Sequence, residues 1–534
     1  MAPAPPRPSA TPPPDGREGR GLEADRTPPL WLRRTVAVLA ALLFVVHVAA
    51  RDDGAPWNGD AVQYTIHAEN LVDGRPYAET GHLINADRTL MPVAYPPGYP
   101  LMLTPIVALG GRSRAAVGAL QAACLAASAW LFAALYWRRL SPAGVVGLVL
   151  LVGLSPFLSV QVNAGYTALP FLAAVGLALV AIDRSGRAAT SRQAILWAVA
   201  AGLAGGGAIL VRALGVVLVP AFVVPALGRT RRATLRPALV AAAVAVVVAL
   251  GVLGAADWEV GGQVVTGSRD DTGYDEIAEA TFGRGAARVP RHVAARAVGY
   301  ARMDREVLWA LPEAGRWVHL PLRLLGLLVL GVGVWASARR VRPAEAFAAL
   351  YLLALMPWSF GWPRYLVPVV PILYAVLLLG AERIWTWAER GRAVAAVPLA
   401  ACGVLLVPFL SHGVGRMVDR VADGPSPVRP AGFELVAQAT PPEAIVLTTR
   451  VDPRPLIFAT GRRASTAPED TAAWRGYARR VGAEYVLATG DRPRAAAWAA
   501  ASAWRLVARD EAADLYAADS AAARPGTAPG TAVP

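Results

Sequence analysis

The chain has 534 residues, of which 55% are apolar and 17% charged, and 52 basic against 38 acidic residues give a formal charge of +14. Soluble globular chains carry about 25% charged residues. With a mean hydropathy of +0.41, this composition excludes an ordinary soluble enzyme and a disordered or disulfide-framed protein. Every basic side chain counted is arginine, in a chain rich in Ala, Gly and Pro; that is a compositional bias, and no nucleic-acid partner is expected.

Residues 1–32, rich in Pro, Arg and Glu, read as a disordered cytoplasmic tail, too polar for a cleaved signal peptide. Apolar runs long enough to span a bilayer then follow near 33–50, 114–137, 142–160, 166–182, 193–211, 213–228, 237–256, 317–338, 344–358, 365–380 and 393–411. Those eleven spans, from a cytoplasmic N-terminus, put short arginine-bearing connections inside: Arg138-Arg139, Arg184 to Arg192, Arg229 to Arg236, Arg339 to Arg342, and Arg383 to Arg392. The first outer loop, 51–98, holds seven acids against three arginines, so positive charge falls inside loop after loop. The C-terminus is then extracytoplasmic. Cys124 and Cys402 lie in apolar runs and read as small fillers.

The expected fold is therefore an α-helical polytopic membrane protein with about eleven transmembrane helices and a small extracytoplasmic C-terminal α/β domain. Its parts are the membrane domain 33–411, with outer loops 51–98 and 257–316, the outer domain 412–518, and a disordered tail 519–534. In the outer domain the pattern predicts strands at 443–450, 484–490, 504–510 and 513–519, and helices at 471–483 and near 493–502. The inner connections are too short for a nucleotide-binding domain. Chemistry is expected on the outer face.

Loop one supplies the first candidates. Asp60 opens an amphipathic helix just after the first span; it reads either as a helix cap or as a general base held at the bilayer surface. Tyr95-Pro96-Pro97-Gly98-Tyr99-Pro100 forces an irregular return to the membrane. Arg364, at an outer boundary, and Arg212, inside apolar sequence, either snorkel to water or clamp a phosphate. The six histidines show no metal-ligand spacing. No cofactor follows from the sequence, and a divalent metal held by His67 or His82 with loop acids stays open as an alternative.

Asp60-x-x-x-Tyr64, then AENLVDGRPYAE and YPPGYPLMLTP, resemble the first outer loop of the GT-C superfamily of membrane glycosyltransferases, which includes the protein O-mannosyltransferases and the lipid A aminoarabinose transferase. The resemblance continues at GLAGGGAILVRALGVVLVPA (202–221), WPRYLVPVVPILYAVLLLG (362–380), PPEAIVLTT, ATGRRA and GAEYVLATG. It implies an enzyme of the cytoplasmic membrane that moves a hexose or pentose from a polyprenyl-phosphate carrier to an acceptor hydroxyl outside. It implies as partners a lipid-linked sugar donor, membrane lipids and an envelope glycan, glycolipid or protein acceptor. It assigns the family's first-loop acid to Asp60 and makes Arg364 the donor-phosphate candidate, with Arg212, Arg88 and Arg75 as helpers and Tyr64, Tyr95 and Tyr99 lining the sugar or acceptor site. Two departures stand out: Ala168 where relatives often carry an acid, and Pro96-Pro97 where the aminoarabinose branch carries charge, so that branch's sugar and acceptor are not transferred. The rival classes are a flippase or transporter for a lipid-linked precursor and an inactive envelope-assembly scaffold. Internal repeats and broken, charged helices would mark a transporter; neither is clear in the sequence, and the acidic first outer loop with a base at its start favours the enzyme.

Overall fold

A computed structural model describes residues 28–53, 59–77, 79–82, 95–227, 232–259, 289–303, 307–308, 316–339, 341–357, 361–389, 396–423, 432–449, 452–468, 471–489 and 492–518. Most of the outer loop 257–316, both tails and Arg88 lie outside the described residues. The helices of the first half are α1 (Leu30–Ala49), α2 (Asp60–Asp73), α3 (Gly98–Gly110), α4 (Arg114–Tyr136), α5 (Pro142–Gly153), α6 (Pro156–Ala164), α7 (Ala168–Ser185), α8 (Ser191–Val211), α9 (Leu218–Leu227) and α10 (Arg232–Glu259). Then come α11 (Val289–Arg302), α12 (Arg316–Ala338), α13 (Pro343–Leu355), α14 (Val370–Glu389) and α15 (Ala396–Asp423).

Among the described residues, six helices are long and apolar enough to cross a membrane, or up to eight if each of two bent pairs is one span. The eleven expected spans are not all met by this measure: 213–228 forms a shorter apolar helix, 393–411 begins outside the described residues, and other runs are bent. The run 142–160 divides at Ser155-Pro156 into α5 and α6, bent by 43°. The proline cannot continue the hydrogen-bond ladder, and Ser155 instead caps α6. The expected spans 317–338 and 344–358 form the second bent pair, turned by 120°. At Arg212 the chain leaves α8 in an extended conformation, makes a 3-10 turn over Ala213–Val217, and continues as the short α9. The Tyr95–Pro100 segment also differs from the irregular return expected, because it becomes helical at Gly98. A Cβ at Gly98 would stand 2.6 Å from the Leu210 carbonyl carbon, so glycine lets α3 press directly on the end of α8.

Polar contacts orient the helices. At one end, Arg114 donates to the Asn163 carbonyl (3.0 Å) where α4 begins and α6 finishes. At the far end of α4, Tyr136 and Arg139 both bind Glu345 at the start of α13. There also Ser141 binds Glu382 of α14, and Arg187 pairs with Asp183 of α7. Arg139, Arg187 and Arg342 thus gather at one end of the bundle, and Asp60, Arg212 and Arg364 lie at the other.

The C-terminal unit comprises α16 (Phe433–Ala439), β1 (Ile445–Thr449), α17 (Pro453–Thr460), β2 (Arg463–Thr466), α18 (Thr471–Val481), β3 (Tyr485–Thr489), α19 (Arg492–Ala501), β4 (Trp504–Arg509) and β5 (Ala513–Ala518). The four expected strands and two expected helices form; α16, α17 and β2 were not foreseen. Sheet order is β2-β1-β3-β5-β4, with β1 parallel to β2 and β3, and β5 antiparallel to β3 and β4. Strand alternation splits β3 between two cores. Val486 and Ala488 face Trp474 of α18 and Trp498 of α19. Tyr485 and Leu487 face α16 and α17, and there Val62 and Ile66 of α2 join them.

Helix α2 is therefore shared. Val62 and Ile66, one turn apart, are buried in the core of the outer domain. Tyr64 and Ala68, on another face, are buried in the core of the helical bundle. Full burial of a Val or Ile side chain contributes about 1.5–3 kcal/mol, so α2 holds the two units together and fixes where its first residue, Asp60, stands.

Candidate functional site

The residue preceding α2 is Gly59, at φ +50°, a conformation that side chains rarely adopt. It occupies the cap position, and no side chain caps the helix. The bland reading of Asp60 as a cap therefore gives way to a different arrangement. Asp60 Oδ1 accepts from the Tyr95 hydroxyl at 2.7 Å and from Arg454 Nη1 at 3.0 Å. Its Oδ2 accepts from Arg364 Nη2 at 2.7 Å. Side-chain exposures of 17% for Asp60, 24% for Arg364 and 22% for Arg454 make this a largely desolvated cluster with an opening to solvent, unlike a surface ion pair.

The electrostatics follow from the geometry. Burial works to raise the Asp60 pKa, but the guanidiniums of Arg364 and Arg454 and the hydroxyl of Tyr95 outweigh it, and the carboxyl is held below its usual range. The same contact, against the burial that opposes charge, raises Arg364 above the ordinary arginine value. Burial and the Asp60 charge push the Tyr95 and Tyr64 phenols well above theirs, so both are neutral hydrogen-bonding groups.

Arg364 sits on a 3-10 turn over Pro363–Leu366, with its guanidinium 4.8 Å from the Tyr166 ring centroid and 5.8 Å from that of Tyr365. Its Nε is buried without a hydrogen-bond partner. Arg212 lies against the same tyrosine, 4.6 Å from the Tyr365 centroid and 5.9 Å from that of Phe171. Its Nη1 is buried without a partner. Among the described residues, no carboxylate pairs with Arg212. The cluster therefore sets two carboxylates, Asp60 and Asp452, against three arginines.

The other expected residues take varied places. Tyr64 packs edge-on between Tyr95 and Tyr99, at centroid distances of 4.7 and 5.2 Å. Tyr99 is fully buried, donating to the Gly165 carbonyl at 3.0 Å and accepting from Gln121 at 2.6 Å. Arg75 pairs with Asp73 at the opposite end of α2. That 14-residue helix puts it about 20 Å along the axis from Asp60. Arg88 is outside the described residues. Among the described residues no group of three or more His, Cys, Asp or Glu side chains can hold a metal ion. Sequence reasoning missed Arg454, Asp452 and Tyr166. The one signal was Asp452-Pro453, a helix-start pattern, which locates α17 but says nothing of where Arg454 points.

The fold that brings this carboxylate and its arginines together, an apolar helical bundle with a C-terminal α/β unit, is shared with membrane proteins of the GT-C type. Among solved structures, the chain is similar to ArnT from Cupriavidus metallidurans bound to undecaprenyl phosphate, at TM-score 0.56 and 18% identity over 91% of this chain and 98% of that one. It is also similar to the oligosaccharyltransferase AglB from Archaeoglobus fulgidus in complex with an inhibitory peptide and a dolichol-phosphate, at TM-score 0.55 and 13% identity over 86% of this chain and 69% of that one. No family model and no curated protein matches the sequence.

Proposed function

We propose that this chain transfers a sugar from a polyprenyl-phosphate carrier to an acceptor hydroxyl on the outer face of the cytoplasmic membrane, with Asp60 as general base. The observation that carries the reading is the Asp60 cluster: a carboxylate ringed by cations where the bundle meets the outer domain. The polyprenyl phosphates held by ArnT and AglB support the same donor class. In the reaction the bond between the sugar's anomeric carbon and the carrier phosphate breaks. A bond from that carbon to the acceptor oxygen forms, and the acceptor proton passes to Asp60. The polyprenyl phosphate leaves with its charge compensated by arginine.

Arg212 is the better phosphate anchor at rest, because Arg364 already faces a carboxylate and, among the described residues, none pairs with Arg212. Arg364 is the second phosphate contact, reached through its shared stacking on Tyr365. Tyr95 orients Asp60, and Tyr64 supports Tyr95. The acceptor approaches from the outer domain.

The test is sugar transfer by purified protein in lipid, with a panel of radiolabelled polyprenyl-phosphate sugars and native envelope extract as acceptor. Wild type transfers one sugar, and Asp60→Asn binds donor without transferring it. Transfer that survives in Asp60→Asn removes Asp60 as the base. Absence of transfer with every donor, from folded protein, moves the reading to a flippase or scaffold.

A further inference from the structure

We propose that Arg454, carried by the outer domain, is a positioning residue for Asp60: it holds Oδ1, so that Oδ2 becomes the working oxygen when the donor phosphate draws Arg364 away. The proposal rests on the reading of Asp60 as base.

Arg454 is a braced side chain. Its Nε and Nη2 are bound by both oxygens of Asp452, at 2.9 and 2.6 Å, and Asp452 also accepts the Arg454 backbone N–H at 3.0 Å. That fixes the guanidinium plane and leaves Nη1 aimed at Asp60. The seat beneath it is fixed as well. Ala464 N–H donates to the Gly81 carbonyl at 3.2 Å, Arg112 binds both Glu69 and the Phe458 carbonyl, and Val62 and Ile66 enter the outer core. A Cβ on Gly59 would lie 3.4 Å from Arg454 Nη2, so the turn that starts α2 is fitted to this arginine.

The two arginines differ in what else holds them. Arg454 is committed to Asp452. Arg364 has Asp60 as its carboxylate among the described residues, has a buried Nε with no partner, and otherwise rests on tyrosine rings. An arriving phosphate therefore recruits Arg364 more easily than Arg454. Once Arg364 is shared with phosphate, Oδ2 loses its donor and Oδ1 keeps two. The carboxylate stays aimed and regains basicity on one oxygen. Proton removal then waits for the donor, so no base is active before a sugar is present.

The groups facing Asp60 are Tyr64 on its own helix, Tyr95, Arg364 with Tyr166 beside it, Arg212 beyond Tyr64, and Arg454 with Asp452 from the outer domain. His82 lies near Arg454 and His67 of α2 stands edge-on to Tyr95, and burial lowers both to about 4. The pH measurements are therefore made in a background of His67→Gln and His82→Gln.

The experiment uses the full chain in lipid vesicles. Single-turnover transfer from saturating polyprenyl-phosphate sugar is followed against pH for Arg454→Ala, Arg454→Lys and Asp452→Asn. Arg454→Ala is expected to slow transfer roughly tenfold or more, the scale of one hydrogen bond to a charged group. Its donor KM stays within about twofold, and its acid limb moves to higher pH because Asp60 has lost a cation. Arg454→Lys recovers part of that limb, and Asp452→Asn moves it less than Arg454→Ala does. An unmoved acid limb, or a donor KM that rises together with lost thermal stability, overturns the proposal in favour of simple domain docking. If Arg454→Ala does not fold, the lysine and Asp452→Asn variants decide by the same limb. Absence of transfer by wild type overturns the functional reading instead. A melting double-mutant cycle of Asp60→Asn and Arg454→Ala then still reads whether the two residues are coupled, and additivity denies it.

Discussion

The carboxylate of Asp60 and the guanidinium of Arg454 meet at 3.0 Å, although 394 residues separate them in the chain. One opens the first helix after the first span; the other lies in the first turn of a helix in the outer domain. The Arg454 side of the cluster around Asp60 exists only where these two units are docked.

The turn at Gly59 is the first place to test that docking. Gly59→Ala puts a Cβ into a left-handed conformation, which costs about 1–2 kcal/mol, and sets it 3.4 Å from Arg454 Nη2. The expected outcome is a lower melting temperature and slower transfer, with donor binding retained. Thermal melting and single-turnover rates on the same preparation check it.

The wedge of α2 predicts a different signature. Ile66→Ala removes buried apolar surface from the outer core, at a cost of about 2–4 kcal/mol. Protease cleavage within the outer domain should become faster. The same substitution at Leu71, half-buried on the helix's last turn, should matter far less. Timed proteolysis of the two variants in lipid distinguishes them.

Donor affinity is predicted to depend on Arg212. Arg212→Gln removes an arginine that meets no carboxylate among the described residues, and the donor KM should rise about tenfold, as expected for one charge-assisted contact. Arg75→Gln should leave donor KM unchanged, because Arg75 pairs with Asp73 at the other end of α2. Steady-state donor titrations of both variants make the comparison. A rise with Arg75→Gln alone would reverse the assignment.

A pH effect on stability comes from His67. Its Nδ1 lies 2.7 Å from the Tyr77 carbonyl, its ring stacks on Tyr77, and its Nε2 is buried without a partner. Burial, opposed by the bond to Tyr77, lowers its pKa from 6.5 to about 4. A depressed folded-state value means the unfolded chain binds the proton first. The stability from neutral His67 is therefore whole above about 6.5 and is lost as pH falls toward 4. His82 acts in the same window. Melting temperature should drop across that interval, and His67→Gln should flatten the drop. Before donor binds, the Asp60 carboxyl is held under its ordinary 3.8, below that interval.

Much of this fold is legible from local pattern. The apolar runs, the arginine-bearing connections and the alternation of Tyr485 to Thr489 each follow from residues close in sequence. Asp60, Tyr95, Arg364 and Arg212 are legible too, as polar groups at costly places beside apolar sequence. What stays hidden is pairing across the chain. Arg454 is one arginine among many, and only the docking of α17 on α2 tells which carboxylate it meets. The break at Ser155-Pro156 is hidden for another reason: apolar composition runs unchanged through it, so hydropathy alone places one span where the backbone bends, whereas the break at Arg212 falls between two expected spans.

The shared helix α2 also bears on the order in which the protein is made. Asp60 is synthesised early, and Arg454 follows only after the last helix of the bundle. Until then Val62 and Ile66 have no outer core to enter, and the early carboxylate lacks one of its two arginines. A nascent or truncated chain therefore carries the membrane half of the centre without the part that aims it. Docking of the C-terminal unit on α2, and not packing of the bundle alone, is what brings the second arginine to Asp60.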